Sequence, residues 1–212
     1  LAHEIGNPIS AILSFEELLL DGELDEEQRE FVVRMKRETE RVSRILRDLL
    51  DFARPAVRAP DEEARASVAE AIDNVASLVR PQRSFDDIEL SIAVEDSLPP
   101  VPLHPERLEQ VLLNLLMNAA DVVPKPGGQV SLAAERVDDG VRIVVEDNGG
   151  GIAPEVREHL FEPFVTTKDV GKGTGLGLAV CRGVIEAAAG HIDAEEGQLG
   201  ARFVILLPAT SA

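Results

Sequence analysis

An imidazole at position 3 stands beside a carboxylate at Glu4 and one helical turn before the amide of Asn7. Leu1, Ile5, Pro8, Ile12, Phe15 and Leu19 recur at alternating spacings of four and three, the pattern of a coiled-coil-like helical seam. At about 100° of rotation per residue the seam stays within roughly ±40° of one direction, and His3 lies about 200° away from it. Ser10 and Ser14 share that far face, so His3 is predicted to be exposed, with Asn7 beside it. Glu4 could take the Nδ1 proton and leave the Nε2 lone pair pointing outward, which would make His3 a nucleophile. Taken alone, the same residues also describe an ordinary solvated histidine.

Three later segments carry groups suited to a phosphate ligand. Asn114 and Asn118, in the run that ends at Asp121, share one helix face and could turn two amide oxygens toward a hard cation such as Mg²⁺. Asp147 closes an apolar strand and is followed by Gly149 and Gly151, so a carboxylate at a strand end could accept a hydrogen bond while glycines let the backbone approach a ligand. Phe161, Phe164 and Lys168 lead to Lys172, Gly173, Thr174, Gly175, Leu176 and Gly177, which reads as apolar anchors, a mobile basic lid and a helix N-terminus facing an anion. The pattern is neither a Walker A loop nor a Rossmann fingerprint. Each segment alone also fits a bland reading, as polar surface or a glycine-rich turn.

These groups need elements to hold them. The seam and a second stripe of Val32, Met35, Thr39, Val42, Leu46, Leu49 and Ala53 predict a helical hairpin that turns between Asp21 and Glu27. The charged run from Arg34 to Arg41 reads as its solvated face. Such a hairpin buries too little apolar surface alone, so a homodimer forming a four-helix bundle is expected. Arg54-Pro55 and the Pro60 to Glu63 run mark a linker. Beyond it, helices are expected at Ser67 to Leu78, His104 to Val123 and Leu176 to Ala189. Strands are expected at Ile88 to Val94, Val130 to Ala134, Val141 to Val145, Ile192 to Glu195 and Arg202 to Leu207. The fold class is α+β: a helical hairpin over 1–54, a linker over 55–66, and an α/β sandwich with helices on one face over 67–212.

The net charge of −18 argues against non-specific nucleic-acid binding, so a nucleotide must be held locally. No apolar run approaches a membrane span, and Cys181 is the only cysteine, which excludes an intrachain disulfide and suits the cytoplasm. The helical pattern starts at Leu1 without a cap, as expected of a fragment with upstream segments.

The string Leu-Ala-His-Glu-Ile-Gly-Asn-Pro at 1–8 resembles the phosphoacceptor box of two-component sensor histidine kinases. The three later segments resemble the N, G1, F and G2 boxes of the ATP-binding superfamily that these kinases share with gyrase-type topoisomerases, MutL and Hsp90. The resemblance implies that His3 is phosphorylated from ATP, that Glu4 is the general base, and that Asn7 orients a water for dephosphorylating a response regulator. It implies Asn118 as the main Mg²⁺ ligand with Asn114 beside it, and Asp147 on the adenine. Thr174 would support the base end. Asp121, Gly149, Gly151, Lys168, Lys172, Gly173, Gly175, Leu176 and Gly177 would complete the nucleotide site. A receiver domain would dock beside His3 and the upper second helix.

Two positions depart from that pattern. Gly6 replaces a basic residue, and His104 replaces an Asp at the start of the long helix, which weakens an N-cap. The competing class is an ATPase clamp, in which a Glu four residues before the metal-binding Asn activates water. Here that position is Asn114, an amide without useful basicity, and His3 offers a nucleophile instead. An anti-sigma-type serine kinase would lack the hairpin, and a non-catalytic scaffold would show gaps in these positions.

Overall fold

The structure is a computed structural model and describes residues 2–53, 64–168, 173–197 and 200–210, with the side chains of residues 2–6, 44, 47–53 and 196 outside that description. The chain divides into two compact units, one of residues 1–54 with 164–176 and the other of residues 55–163 with 177–212.

In the first unit, α1 (Ala2–Leu20) and α2 (Glu26–Ala53) form the expected hairpin. Asp25 caps the second helix, its Oδ1 accepting the Gln28 N–H at 2.8 Å, and Glu26 and Glu27 complement the positive end of the helix. Most described residues of the two predicted stripes are left uncovered within one chain. Ile12, Phe15 and Leu19 of α1 and Met35 and Val42 of α2 are exposed within one chain. The contact between the helices is more polar than the stripes suggested. Glu16 is buried and accepts the Thr39 hydroxyl, Lys36 reaches Glu17 at 2.8 Å, and Val32 supplies buried apolar surface. Lys36, expected on the solvated face, therefore spans the hairpin.

The described part of the second unit begins at Ala64. Ala66 is fully buried, and its backbone exchanges two hydrogen bonds with Val101, both at 3.0 Å. Ser67 caps α3 (Val68–Val79) by accepting the Glu70 N–H. A 3-10 turn at Arg83–Phe85, absent from the sequence reading, leads into β1 (Ile88–Val94), and α4 (Pro105–Val122) crosses over to β2 (Gly128–Val137). His104 stands at the N-cap of α4 without a side-chain hydrogen bond to the helix, the expected consequence of the missing Asp. β3 (Gly140–Asp147), the single turn α5 (Pro154–Arg157), α6 (Gly177–Ala187), β4 (His191–Glu196) and β5 (Ala201–Pro208) follow. The short α5 was not predicted, because one turn is too brief to leave a periodic pattern.

The strands form one mixed sheet in the order β1-β2-β3-β5-β4. Only the β1–β2 pair is parallel, as the α4 crossover requires, and the other pairs are antiparallel. Val137 pairs with Gly140 across a two-residue turn of Asp138 and Asp139. A side chain at Gly140 would run into the Leu207 carbonyl of β5, so the turn chemistry and the sheet packing agree. Leu132, Ile143 and Ile205 point from the sheet into a core shared with Leu112, Leu115 and Leu116 of α4, Ile72 and Val75 of α3, and Ile185 of α6. α4 lies against β2 and β3, with α3 and α6 on its flanks. The helices thus cover one face of the sheet, which is the α/β sandwich expected from sequence.

Candidate functional site

Helix α4 is the wall on which the second-unit part of the site is built. Its buried stripe of Leu108, Val111, Leu112, Leu115, Leu116 and Ala119 faces the core, which leaves Asn114 and Asn118 half-buried on an adjacent face, one turn apart. Nδ2 of Asn114 turns toward α6, within 3.5 Å of the Gly177 carbonyl and 3.8 Å of the Cys181 sulfur. Cys181 is fully buried, and burial pushes its thiol up to about 12. It is a packed thiol rather than a reactive one. Asp121 lies exposed near the C-terminal end of α4.

The end of β3 supplies the second group. Asp147 is one of two buried charged residues among the described ones, at 4% exposure. Its Oδ1 accepts the Gly149 N–H at 2.8 Å and the Ala201 N–H at 3.2 Å. Burial raises the Asp147 carboxyl above the ordinary carboxylate range, and those two backbone donors oppose the rise. Because both bonds fall on one oxygen, Oδ2 keeps its accepting capacity, which suits an exocyclic amino group such as that of adenine.

Glycine is demanded around this carboxylate. A side chain at Gly200 would meet Asp147 Oδ1 and the Gly149 nitrogen, each at 2.6 Å. One at Gly149 would lie 3.0 Å from the Val122 carbonyl, so the turn after β3 abuts the C-terminal end of α4. Gly151 takes φ 72°, the left-handed region that glycine enters without strain. Asn148 pins the turn from the other side, its Oδ1 accepting the Gln129 N–H at 2.8 Å and its Nδ2 donating to the Gly127 carbonyl at 2.9 Å.

The structure therefore joins Asn114 with Gly177, and Asp147 with Gly149, around α4. Sequence reasoning missed Gly200, Ala201, Asn148 and Cys181. The glycine pair Gly197 and Gly200 ahead of β5 was the available signal, since two glycines between strands mark a tight approach. Nothing in one sequence could reveal that Ala201 contributes through its backbone.

Lys168, Gly173, Thr174, Gly175 and Leu176 are described with the first unit. The Phe164 N–H donates to the Gly175 carbonyl at 2.9 Å, which closes the segment at its base. Gly175 has φ 67°, and a side chain there would lie 2.7 Å from Phe164 Cα. Thr174 accepts the Leu176 N–H through its hydroxyl, and the Leu176 side chain is fully buried. Lys172 lies outside the described residues. His3 and Glu4 belong to helix α1, but their side chains also lie outside the described residues; Asn7 is exposed on the same helix.

A concavity of about 260 Å³ is lined by Glu89, Ser91, Gln129, Ser131, Glu146, Asp147 and Asn148 among others. Three carboxylates in its wall disfavour a triphosphate there. Among the described residues no group of three or more His, Cys, Asp or Glu could hold a metal ion. The donor set on α4 is instead a pair of neutral amides, which suits a hard cation already carrying phosphate and water ligands. No helix among the described residues is long and apolar enough to cross a membrane.

A five-stranded mixed sheet with helices on one face and a buried strand-end carboxylate ringed by glycines is an ATPase fold of the type combined in signalling proteins with a helical hairpin. Residues 103–211 match the family model for histidine kinase-, DNA gyrase B- and HSP90-like ATPases, and residues 1–56 match that for the His Kinase A phospho-acceptor domain. The chain belongs to this ATPase family and, with the phospho-acceptor hairpin ahead of it, is a two-component sensor histidine kinase core. It is 35% identical over 98% of its length to the sensor histidine kinase ZraS of Escherichia coli O157:H7, covering 44% of that protein. It is also 35% identical, again over 98% of its length, to the sensor kinase CckA of Brucella abortus (strain 2308), covering 23% of it.

The chain thus spans less than half the length of these curated relatives. Among solved structures, full-length ShkA in complex with AMPPNP aligns over all of this chain and 45% of its own, with a TM-score of 0.78 and 32% identity. The mycobacterial sensor histidine kinase MprB aligns over 70% of this chain and 98% of its own, with a TM-score of 0.59 and 31% identity.

Proposed function

We propose that this chain binds Mg-ATP through its α/β domain and transfers the γ-phosphoryl group to His3. The single observation that carries the nucleotide half is Asp147, buried at a strand end with one carboxylate oxygen occupied and the other able to accept from adenine. The acceptor half rests on the phospho-acceptor family match over residues 1–56 and on the placement of His3 in α1.

Glu4 takes the Nδ1 proton of His3, and the Nε2 lone pair attacks the γ-phosphorus. An N–P bond forms as the bond from that phosphorus to the β–γ bridging oxygen breaks, and ADP leaves. Asn118, with Asn114 beside it, would hold a Mg²⁺ that supplies charge neutralisation on the triphosphate. Lys168, Lys172, Gly173, Thr174, Gly175 and Leu176 would line the phosphates, with free N–H groups from Gly177 at the start of α6. Positioning and electrostatics supply most of such a reaction.

An aspartate oxygen of a response regulator then takes the phosphoryl group from Nε2, restoring His3. Asn7 orients the water that later hydrolyses the acyl phosphate. The protein acts as a homodimer, because Ile12, Phe15, Met35 and Val42 offer an uncovered apolar face that a second hairpin would bury in a four-helix bundle. The division into a hairpin at 1–54, a linker at 55–66 and an ATP domain at 67–212 follows from the same reading, since the ATPase family match runs unbroken through 164–176. A cytoplasmic location fits these partners.

The test is phosphotransfer from protein labelled with γ-phosphate-labelled ATP to a panel of regulators, with His3→Gln as control. Label reaching a regulator only from the wild-type chain is the expected result; transfer from His3→Gln at the wild-type rate contradicts the proposal. Asn7→Ala should slow regulator dephosphorylation more than autophosphorylation, and equal effects would make Asn7 structural.

A further inference from the structure

Asn114 meets α6 through a small network. Its Nδ2 has two acceptors, the Gly177 carbonyl at 3.5 Å and the Cys181 sulfur at 3.8 Å. The same sulfur lies 3.9 Å from the Val111 carbonyl, to which it donates, so the thiol both accepts from one residue of α4 and donates to another. Cys181 has no exposed surface, whereas Asn114 is half-buried.

A carboxamide has donors at one end and an acceptor at the other. A site that offers acceptors to one end therefore decides which way the group turns. Flipped by half a turn, Asn114 would point its oxygen at the Gly177 carbonyl, and two acceptors would repel. With the nitrogen inward the oxygen is turned away from the Gly177 carbonyl, and Asn118 follows one turn later on α4.

We propose that Cys181 is a positioning residue for the cation carried by the nucleotide: its sulfur, with the Gly177 carbonyl, turns the nitrogen of Asn114 inward so that the amide oxygen is presented to the ion. This rests on the Mg-ATP reading above. It gives a role to a polarisable donor–acceptor side chain at a fully buried helix position. An aliphatic replacement would remove the sulfur acceptor and leave the carboxamide less firmly oriented. The adenine end, built on Asp147, would be untouched.

Binding of AMPPNP, measured by calorimetry in excess Mg²⁺ and again in excess EDTA, separates these effects without reference to turnover. Cys181→Ala should lose about threefold to about tenfold of the affinity gained from Mg²⁺, the loss of one weak hydrogen bond, and bind as wild type in EDTA. Cys181→Ser, which keeps a donor and an acceptor, should recover most of that gain. In an Asn114→Ala background, Cys181→Ala should add nothing.

An unchanged Mg²⁺ gain in Cys181→Ala overturns the proposal. So does an equal loss with and without Mg²⁺, which would make the residue packing alone. Thermal unfolding of each variant identifies one that is merely misfolded, and the serine variant then decides: a Mg²⁺ gain that Cys181→Ser does not keep overturns the proposal. A wild-type chain that does not bind AMPPNP at all removes the nucleotide reading itself, a different result from a wild type that binds and variants that do not differ.

Discussion

Asp147 at the end of β3 accepts the backbone N–H of Ala201, the first residue of β5, at 3.2 Å. Two neighbouring strands thus hold one buried carboxylate in place without any cationic side chain among the bonds that fix it. The pKa of Asp147 is raised, chiefly by burial. An ionised carboxylate accepts from the adenine amino group, and protonation of Asp147 weakens that. Nucleotide affinity should therefore fall on acidification, with a midpoint above the value of about 3.9 expected of a free aspartate. Fluorescence titrations of a nucleotide analogue from below the free aspartate value up to neutral pH, with Asp147→Asn as the pH-insensitive control, measure it. A wild-type midpoint below the free value would contradict the burial argument. Linkage gives the opposite sign for stability: a raised folded pKa contributes stability that is complete below the unfolded value and is lost as pH rises through the folded one.

Gly200 packs against the same carboxylate, with room for no side chain. Gly200→Ala should cost about 1–3 kcal/mol of stability through overpacking and lower nucleotide affinity by about tenfold or more. Chemical denaturation and calorimetric titration check the two effects. Unaltered affinity would mean that the Asp147 carboxylate does not bind the nucleotide.

Phe15 is 64% exposed on α1, beside Ile12 and Leu19, which a dimer partner would cover. Phe15→Glu should shift the chain toward monomer in sedimentation velocity at micromolar concentration, and Asp147→Ala should not. A Phe15→Glu dimer as tight as the wild type would place the interface elsewhere.

Glu16 is buried at 2% exposure, with Oε1 taking the Thr39 hydroxyl at 2.7 Å and Oε2 without a hydrogen-bond partner among the described residues. A buried polar atom left unpaired is costly, so Glu16→Met should raise hairpin stability by on the order of 1 kcal/mol. Thr39→Val should lower it, because the carboxylate would lose its remaining partner. A less stable Glu16→Met would show that the carboxylate finds a partner in the assembled protein.

Much of this architecture was legible in the sequence, for identifiable reasons. β1 was read at its observed limits because alternation from Ile88 to Val94 reports directly which face is buried. Helix α4 was read from its apolar stripe and from Pro105, and its amides then fell on one face. The hairpin left one point open. The heptad seam does not distinguish a face buried within one chain from a face left for another, so Ile12 and Phe15 are exposed while Glu16 is buried. At the site, residue types announced Asp147 and the two asparagines. The groups that orient them, the backbone of Ala201, the missing side chain of Gly200 and the sulfur of Cys181, act across distant segments and leave no local pattern.

Incubating the purified chain with γ-phosphate-labelled Mg-ATP, assaying the label's acid and base stability, and mapping the modified residue by mass spectrometry decides whether His3 is the acceptor. The expected product is a phosphate that is labile in acid, stable in base and located on His3. A chain that binds Mg-ATP, releases phosphate to water and never carries it on His3 is an ATP-driven clamp instead.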